Sequence, residues 1–423
     1  SPFAKSSIKS VRFNGAANNT VCANAFKNVT SLQSVELAYC LTNDNISIID
    51  TSAFEGCVNL TAINLSDKLT TINGLAFYNT GLTEITIPAS LTKITTASAA
   101  GKTVSPFAGG VLKKVTFANG VTKSLQGMFM GTASLEEVVL PESLKTIDQN
   151  TFKDCSSLQK LSVIKSAQEE DASTEKNVLD TIENINAGAF NGCSSLETLT
   201  LKNVAKIDSN ETNRTFGGCT SLKKISVTGV TTTDNTGKAA PGTIIGVSAF
   251  KDNRALKDIK LDTIKTISQD AFRGCGVAQD DTTDPAKLAL NNVTGIGALA
   301  FYGCGFKEVQ IPRQLSSVTI GKIDGVDYGP FAGGKLENIS FEKFMTTMPD
   351  NLCLNTQSLK TINLQAVKTT LRTIGKNAFK GCIGVETVTI PKIVTTVSES
   401  AFEDCSGLTD VTVAAQAINA KAF

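Results

Sequence analysis

The chain has 423 residues, 40 Lys and Arg against 39 Asp and Glu, 21 Phe, 11 Cys, no Trp and no His. A net charge of +1 argues against a nucleic-acid partner, which usually needs a basic stripe. The missing histidine removes Ser-His-Asp and Cys-His nucleophiles, histidine-based zinc catalysis and a histidine general base.

The predicted elements follow one recurring phrase. Ala53-Phe54-x-x-Cys57-x-x-Leu60 returns as Ala189-Phe190-x-x-Cys193-x-x-Leu196 and as Ala401-Phe402-x-x-Cys405-x-x-Leu408. In chain order the anchors are Phe3, Phe26, Phe54, Phe77, Phe107, Phe129, Phe152, Phe190, Phe216, Phe250, Phe272, Phe301, Phe331, Leu352, Phe379 and Phe402. The spacing is short and regular, stretched most between Phe152 and Phe190. A recurring period of this kind is the signature of a solenoid. About sixteen turns then make one continuous array over 1–423.

Within a unit, Leu82-Thr-Glu-Ile85-Thr-Ile87-Pro88 precedes Leu91-Thr-Lys-Ile94. The Ile-x-Ile alternation predicts a short strand with one buried face, closed by proline. The Leu-x-x-Ile piece predicts a second, shorter strand. The Ala-Phe phrase predicts one helical turn, with Ser52, Asn150, Ser248, Asp270, Asn377 and Ser400 as N-cap types and glycines such as Gly56 and Gly192 ending it. No unit buries its apolar face alone, whereas a stack does.

These residues resemble the BspA-like leucine-rich repeat, found in surface proteins of bacteria and some parasitic protists. The resemblance covers essentially the whole chain. It implies an α/β repeat, a right-handed leucine-rich-repeat solenoid of mostly short parallel strands with single helical turns. It further implies a non-enzymatic, extracellular cell-surface module that adheres to protein ligands such as host matrix or cell-surface proteins. The alternative is a stalk or surface-layer element assembling end to end.

A longer period overlies the short one. Ser1-Pro-Phe3, Ser105-Pro-Phe107-Ala-Gly-Gly, Thr215-Phe216-Gly-Gly and Gly329-Pro-Phe331-Ala-Gly-Gly suggest four-turn blocks starting near 1, 105, 214 and 329. Ala76-Phe77-Tyr78 and Ala300-Phe301-Tyr302 stand equally far ahead of their next anchors, Phe107 and Phe331. The chain begins and ends inside the repeat phrase, which reads as truncation at both ends and leaves uncapped ends for self-association. Insertions at 95–105, 165–180, 231–243 and 321–329 are expected to leave from one rim, where they either carry binding or are solvated loops that closure entropy tolerates.

Eight cysteines, Cys57, Cys155, Cys193, Cys219, Cys275, Cys304, Cys382 and Cys405, stand three residues after an anchor, a core position for a small reduced hydrophobe. Cys22, Cys40 and Cys353 fall outside that pattern and are the candidates for a stray bridge. Gly295-Ile-Gly297-Ala-Leu-Ala300 mimics a dinucleotide fingerprint but sits in the ordinary phase of the repeat. Asp280-Asp281-x-x-Asp284 lacks the regular spacing of a calcium loop. No metal, cofactor or catalytic residue is expected, and no apolar run is long enough to insert in a membrane. The remaining ligand-binding candidates are the outward sheet residues Lys113, Lys114, Glu136, Lys223, Lys224, Lys260 and Lys307.

Overall fold

A computed structural model describes residues 2–3, 5–13, 19–37, 46–164, 177–230, 242–277 and 286–423. The chain forms two compact units, Ser1–Thr200 with Gly218–Thr220, and Leu201–Gly217 with Ser221–Phe423. Both consist of stacked coils, each coil contributing a longer strand, a shorter strand and a tight turn.

In the first unit the longer strands Ser10–Arg12, Ser34–Glu36 and Ala62–Asn64 pair in parallel, as do Glu84–Ile87, Lys114–Phe117, Glu137–Pro141 and Lys160–Ile164. Ile85 stands beside Val115, Val115 beside Val138, and Val138 beside Leu161, so the inward positions form continuous apolar rows. The alternation of the sequence is realised directly: Glu84–Ile87 reads exposed, buried, exposed, buried. The short strands Thr20–Val21, Ile48–Ile49, Thr71–Ile72 and Lys93–Ile94 make the second ladder. In the second unit Lys224–Gly229, Asp258–Asp262, Lys287–Asn291, Glu308–Ile311, Asn338–Phe341 and Thr361–Asn363 pair successively in parallel. Thr387–Ile390 and Asp410–Val413 form a separate pair. Pro88, Pro312 and Pro391 follow strands directly, whereas Pro141 is itself the last residue of one.

The Ala-Phe phrase closes each coil without an α-helix. In one coil the N–H groups of Ala53, Glu55 and Cys57 donate three residues back, to the carbonyls of Asp50, Ser52 and Phe54, at 3.1–3.3 Å. The intervening N–H groups of Ser52, Phe54 and Gly56 donate to Gly74, Ala76 and Tyr78 of the next coil at 2.8–3.1 Å. Alternate donors thus serve the turn and the stack. This geometry needs positive φ at two fixed positions, the second one helical turn beyond the first. Gly56 at +74° meets the second requirement as the sequence suggested. The first falls on the residues read as N-caps: Ser52, Asn150, Ser248, Asp270, Asn377 and Ser400 all lie between +54° and +56°. An N-cap holds β-region dihedrals, so these are left-handed positions instead, filled by short polar types that tolerate them.

The anchor rings stack coil upon coil. In the first unit Phe3, Phe26, Phe54, Phe77, Phe107, Phe129, Phe152 and Phe190 form one column with centroids 5.1–5.9 Å apart. In the second, Phe216, Phe250, Phe272, Phe301 and Phe331 repeat it at 4.6–5.5 Å. The next position corrects the sequence reading. Cys353, not Leu352, occupies the ring column: its N–H donates to Ala378 at 2.7 Å, as Phe54 donates to Ala76, and left-handed Asn351 and Asn355 flank it. The short spacing after Phe331 and the apolar Leu352 concealed that one-residue offset.

All eight anchor-plus-three cysteines are free and buried. Their thiols meet main-chain carbonyls of the preceding coil, for example Cys57 to Phe26 at 3.0 Å and Cys304 to Phe272 at 3.1 Å. Cys382 donates to Cys353, in keeping with the anchor role of the latter. Where asparagine replaces cysteine, Asn253 Nδ2 makes the same bond to Phe216 at 2.9 Å. Cys22 is free and exposed, Cys353 is free and buried, and Cys40 lies outside the described residues.

Phe190→Ala empties a fully buried place in the column and should cost about 3–5 kcal/mol, read from urea unfolding. Ser248, at +55° and with a buried hydroxyl that makes no hydrogen bond, offers a second check. Ser248→Gly should leave stability unchanged or raise it by up to about 1 kcal/mol, and Ser248→Val should lower it by about 1–3 kcal/mol. A loss on Ser248→Gly would restore the N-cap assignment.

Candidate functional site

The outward sheet face carries charge in register. In the first unit Glu84, Lys114, Glu137 and Lys160 stand side by side on successive strands, negative and positive in turn. Glu137 takes both lysines, at 3.6 Å from Lys114 and 3.0 Å from Lys160, and the hydrogen bond from Lys160 lowers its pKa below the usual carboxylate value. Lys113 and Glu136 pair at 3.0 Å one position earlier. The structure thus brings Lys113, Lys114 and Glu136 close together, each within an ion pair. In the second unit Lys224 pairs with Asp258 at 3.8 Å and Lys360 with Glu337 at 3.2 Å. Lys223 takes part in an interaction of its own. Lys260 stands between Ser226 and Ala289. Lys307 borders a depression of about 780 Å³ with Glu308, Gln310 and Asn338. The candidate residues therefore do not converge on one site: several tie neighbouring coils together.

Two other features break the regular face. The insertions before Phe107 and Phe331 are antiparallel hairpins, Ala97–Ala99 with Lys102–Val104 in one unit and Gly321–Ile323 with Val326–Tyr328 in the other. Each is accompanied by a tyrosine packed against a positive-φ glycine of the following coil: Tyr78 against Gly109, Tyr302 against Gly333. A Cβ on either glycine would come within 2.8 or 2.5 Å of the ring, so both positions require glycine. The hairpins differ in chemistry. The first offers Ser98, Ala100, Gly101 and Thr103. Beside the second, Tyr328 meets Tyr302 edge-on at 5.6 Å, Arg273 lies 5.2 Å from the Tyr302 ring, and Val326 and Ile320 are 47% and 38% exposed. Sequence reasoning located this insertion and the Tyr302 recurrence. It missed Arg273, which arrives from the preceding coil.

The second feature is a cavity of about 720 Å³ bordered by Lys360, Lys368 and Lys392. Sequence reasoning missed it, because these lysines are scattered along the chain and share no motif. Among the described residues no group of three metal-binding side chains occurs. The Asp280-Asp281-x-x-Asp284 loop and most of the 165–180 and 231–243 insertions lie outside those residues. Gly295–Ile296 is a ladder strand, in phase with the repeat.

The thiols are chemically quiet. Burial pushes Cys57 and Cys405 up to about 11, and Cys219 and Cys304 up to about 12. Such groups behave as small apolar fillers rather than nucleophiles.

Stacked parallel coils with paired ladders and an internal anchor column define a leucine-rich-repeat protein. The chain belongs to the family described as BspA type leucine rich repeat region (6 copies), whose model matches residues 1–105, 104–174, 169–279, 243–367 and 282–409. Among solved structures it is similar to a leucine-rich repeat protein from Bacteroides ovatus, with 16% identity, 97% of this chain and 82% of that one covered, and a TM-score of 0.42. A leucine rich cell surface protein from Faecalibacterium prausnitzii shares 21% identity over 81% and 89% of the two chains, TM-score 0.28. A leucine-rich repeat protein from Eubacterium ventriosum shares 15% identity over 98% and 88% of the two chains, TM-score 0.29. A search of curated proteins finds no match. Among the described residues no helix is long and apolar enough to cross a membrane.

Folding holds the buried thiols protonated, so their contribution to stability is intact below the ordinary thiol value of 9.0 and is lost as pH rises through about 11–12. The melting temperature should fall steadily above about pH 9. Cys304→Thr, which places there the residue found at Thr80 and Thr132, should flatten the decline. An unchanged slope would mean that other groups cause it.

Proposed function

We propose that this chain is a non-enzymatic protein-binding module of a cell surface, making its main contact through the hairpin Gly321–Tyr328 and the side chains beside it. The observation that carries this reading is the meeting of Tyr302, Tyr328 and Arg273 next to exposed Val326 and Ile320. Tyrosine and arginine dominate binding hot spots, and adjoining apolar surface supplies area to desolvate. The ladder lysines Lys113, Lys114 and Lys224 fit a partner less well, because their ion pairs across coils must be broken or desolvated to serve another charge, whereas Arg273 pairs within its own turn, with Asp270 at 3.4 Å. The family fold supports a binding role, and the similar Faecalibacterium prausnitzii chain is described as a cell surface protein. Host matrix and cell-surface proteins are the partner class in view.

The immobilised chain, offered matrix, serum and cell-surface extracts, should retain one or a few saturable partners at both low and high salt. Tyr328→Ala should weaken them by about 2 kcal/mol, roughly thirtyfold. Lys113→Ala should change little. Binding that is abolished by salt or by Lys113→Ala, and untouched by Tyr328→Ala, would move the contact to the charged sheet face.

A further inference from the structure

Among the described residues, the longer-strand sheet of the second unit is interrupted once. Thr361–Asn363 ends the run of paired strands, and Thr387–Ile390 begins a separate sheet with Asp410–Val413. The single helix among the described residues lies in the segment between them: the short 3-10 turn Gln365–Val367. Its start is fixed by Asn363 Oδ1, which accepts from the Gln365 N–H at 3.1 Å, and buried Leu364 and Val367 root it in the core. This insertion walls the cavity of about 720 Å³. That volume lies within the usual range for small-ligand pockets.

The chemistry of the cavity departs from the rest of the sheet face. Lys360, Lys368 and Lys392 border it, and no carboxylate does. Lys360 is shared with Glu337, whereas Lys368 and Lys392 have no ion-pair partner among the described residues. Asp410 stands opposite Thr387 one strand further on. Thr361, Thr387, Thr389, Asn363 and Gln365 line the same cavity, together with apolar residues such as Ile362 and Val388. Their hydroxyls and amides both donate and accept hydrogen bonds. No aromatic side chain lines the cavity, so it offers no platform for stacked bases. No arginine fork is present for bidentate capture of a phosphorylated side chain.

We propose that this cavity is a subsite for an anionic polysaccharide. Lysine ammonium groups neutralise sulfate or carboxylate substituents, and the threonine, asparagine and glutamine side chains bind the hydroxyls of the same sugar units. A neutral glycan would leave the lysines unanswered, and a simple anion would leave the hydroxyl and amide floor unused. With a net charge of +1 over the chain, such binding would be local and not a general attraction to polyanions.

The test is calorimetry near physiological ionic strength, with the full chain and a heparin-derived hexasaccharide as probe. Saturable binding is expected. The Lys368→Ala/Lys392→Ala double variant should weaken it at least roughly tenfold, and a Lys368→Arg/Lys392→Arg variant, which keeps the charge, should retain most of it. A Lys223→Ala/Lys260→Ala pair removes the same charge elsewhere on the second unit and should bind as the unmodified chain does. A desulfated hexasaccharide should bind more weakly. Each of three results would overturn the proposal: no saturable binding, an equal loss in the Lys223→Ala/Lys260→Ala control, or equally tight binding of a single-stranded oligonucleotide through the same lysines. Circular dichroism of every variant separates loss of the site from loss of fold.

Discussion

The structure depends on how each tight turn divides its N–H groups. Alternate donors close the turn, and the others reach the carbonyls of the next coil. A main-chain polar group left unpaired inside the stack would cost about 1–3 kcal/mol, and the same loss in every coil would be prohibitive. The alternation removes it with left-handed backbone, at two fixed places in most coils and at the second place alone in the coils of Phe107, Phe216 and Phe331; Leu75 and Leu299 fill the first place in two coils. That requirement explains why glycine, asparagine, aspartate and serine recur there although their side chains have little in common. Asn28, Gly56, Asn79, Asp154, Gly192 and Asp252 all occupy the second place with φ between +60° and +79°, save Asn79 at +56°. Size matters as well as dihedral: a Cβ at Gly56 would meet the Asn28 side chain at 2.2 Å, and one at Gly192 that of Asp154 at 2.5 Å.

The same backbone rule shapes the side-chain columns. Coils held in register place like positions over one another, so an aromatic ring finds a ring and a thiol finds a carbonyl. On the outward face the rule becomes a hazard, because identical charges would stack and repel. Glu84, Lys114, Glu137 and Lys160 answer it by alternating sign. Exposed pairs of this kind contribute little each. Their value is in permitting charge on a stacked face at all.

The fold was legible because its causes are local and repeated. The Phe-x-x-Cys spacing, the Ile-x-Ile alternation and the glycine before cysteine each report a contact made within a coil or with the next one. Two readings failed for a shared reason. Serine, asparagine and aspartate favour both helix N-caps and left-handed turns, so Ser52 or Asn377 alone cannot say which backbone it serves. Cys353 was misplaced because the anchor column is defined by hydrogen-bond phase, while apolar Leu352 offered a better match by residue type. Strand alternation marks the candidate lysines as outward residues, but it says nothing of their partners. Lys113 and Glu136 belong to neighbouring coils, and their pairing is invisible without register. Arg273 beside Tyr302, and Lys368 and Lys392 on one cavity, come from different coils and carry no motif at all.

A periodic face presents the same chemistry at every step, and many of its charges already answer one another. The proposed contacts therefore lie where the period breaks. The two hairpins can be compared directly. They leave equivalent places in the repeat, each beside a tyrosine seated on an obligatory glycine, so their support is the same. One carries small residues and exposed Lys102 and the other a Tyr-Arg-Val cluster, so their surfaces are not. The interruption at Gln365–Val367 follows the same logic with a different outcome, substituting a lysine-rimmed cavity for a strand contact. Stability resides in the repeated turn and stacked ring, where substitutions are costly. The sequence is free to vary in the insertions, which the turn geometry supports but does not constrain.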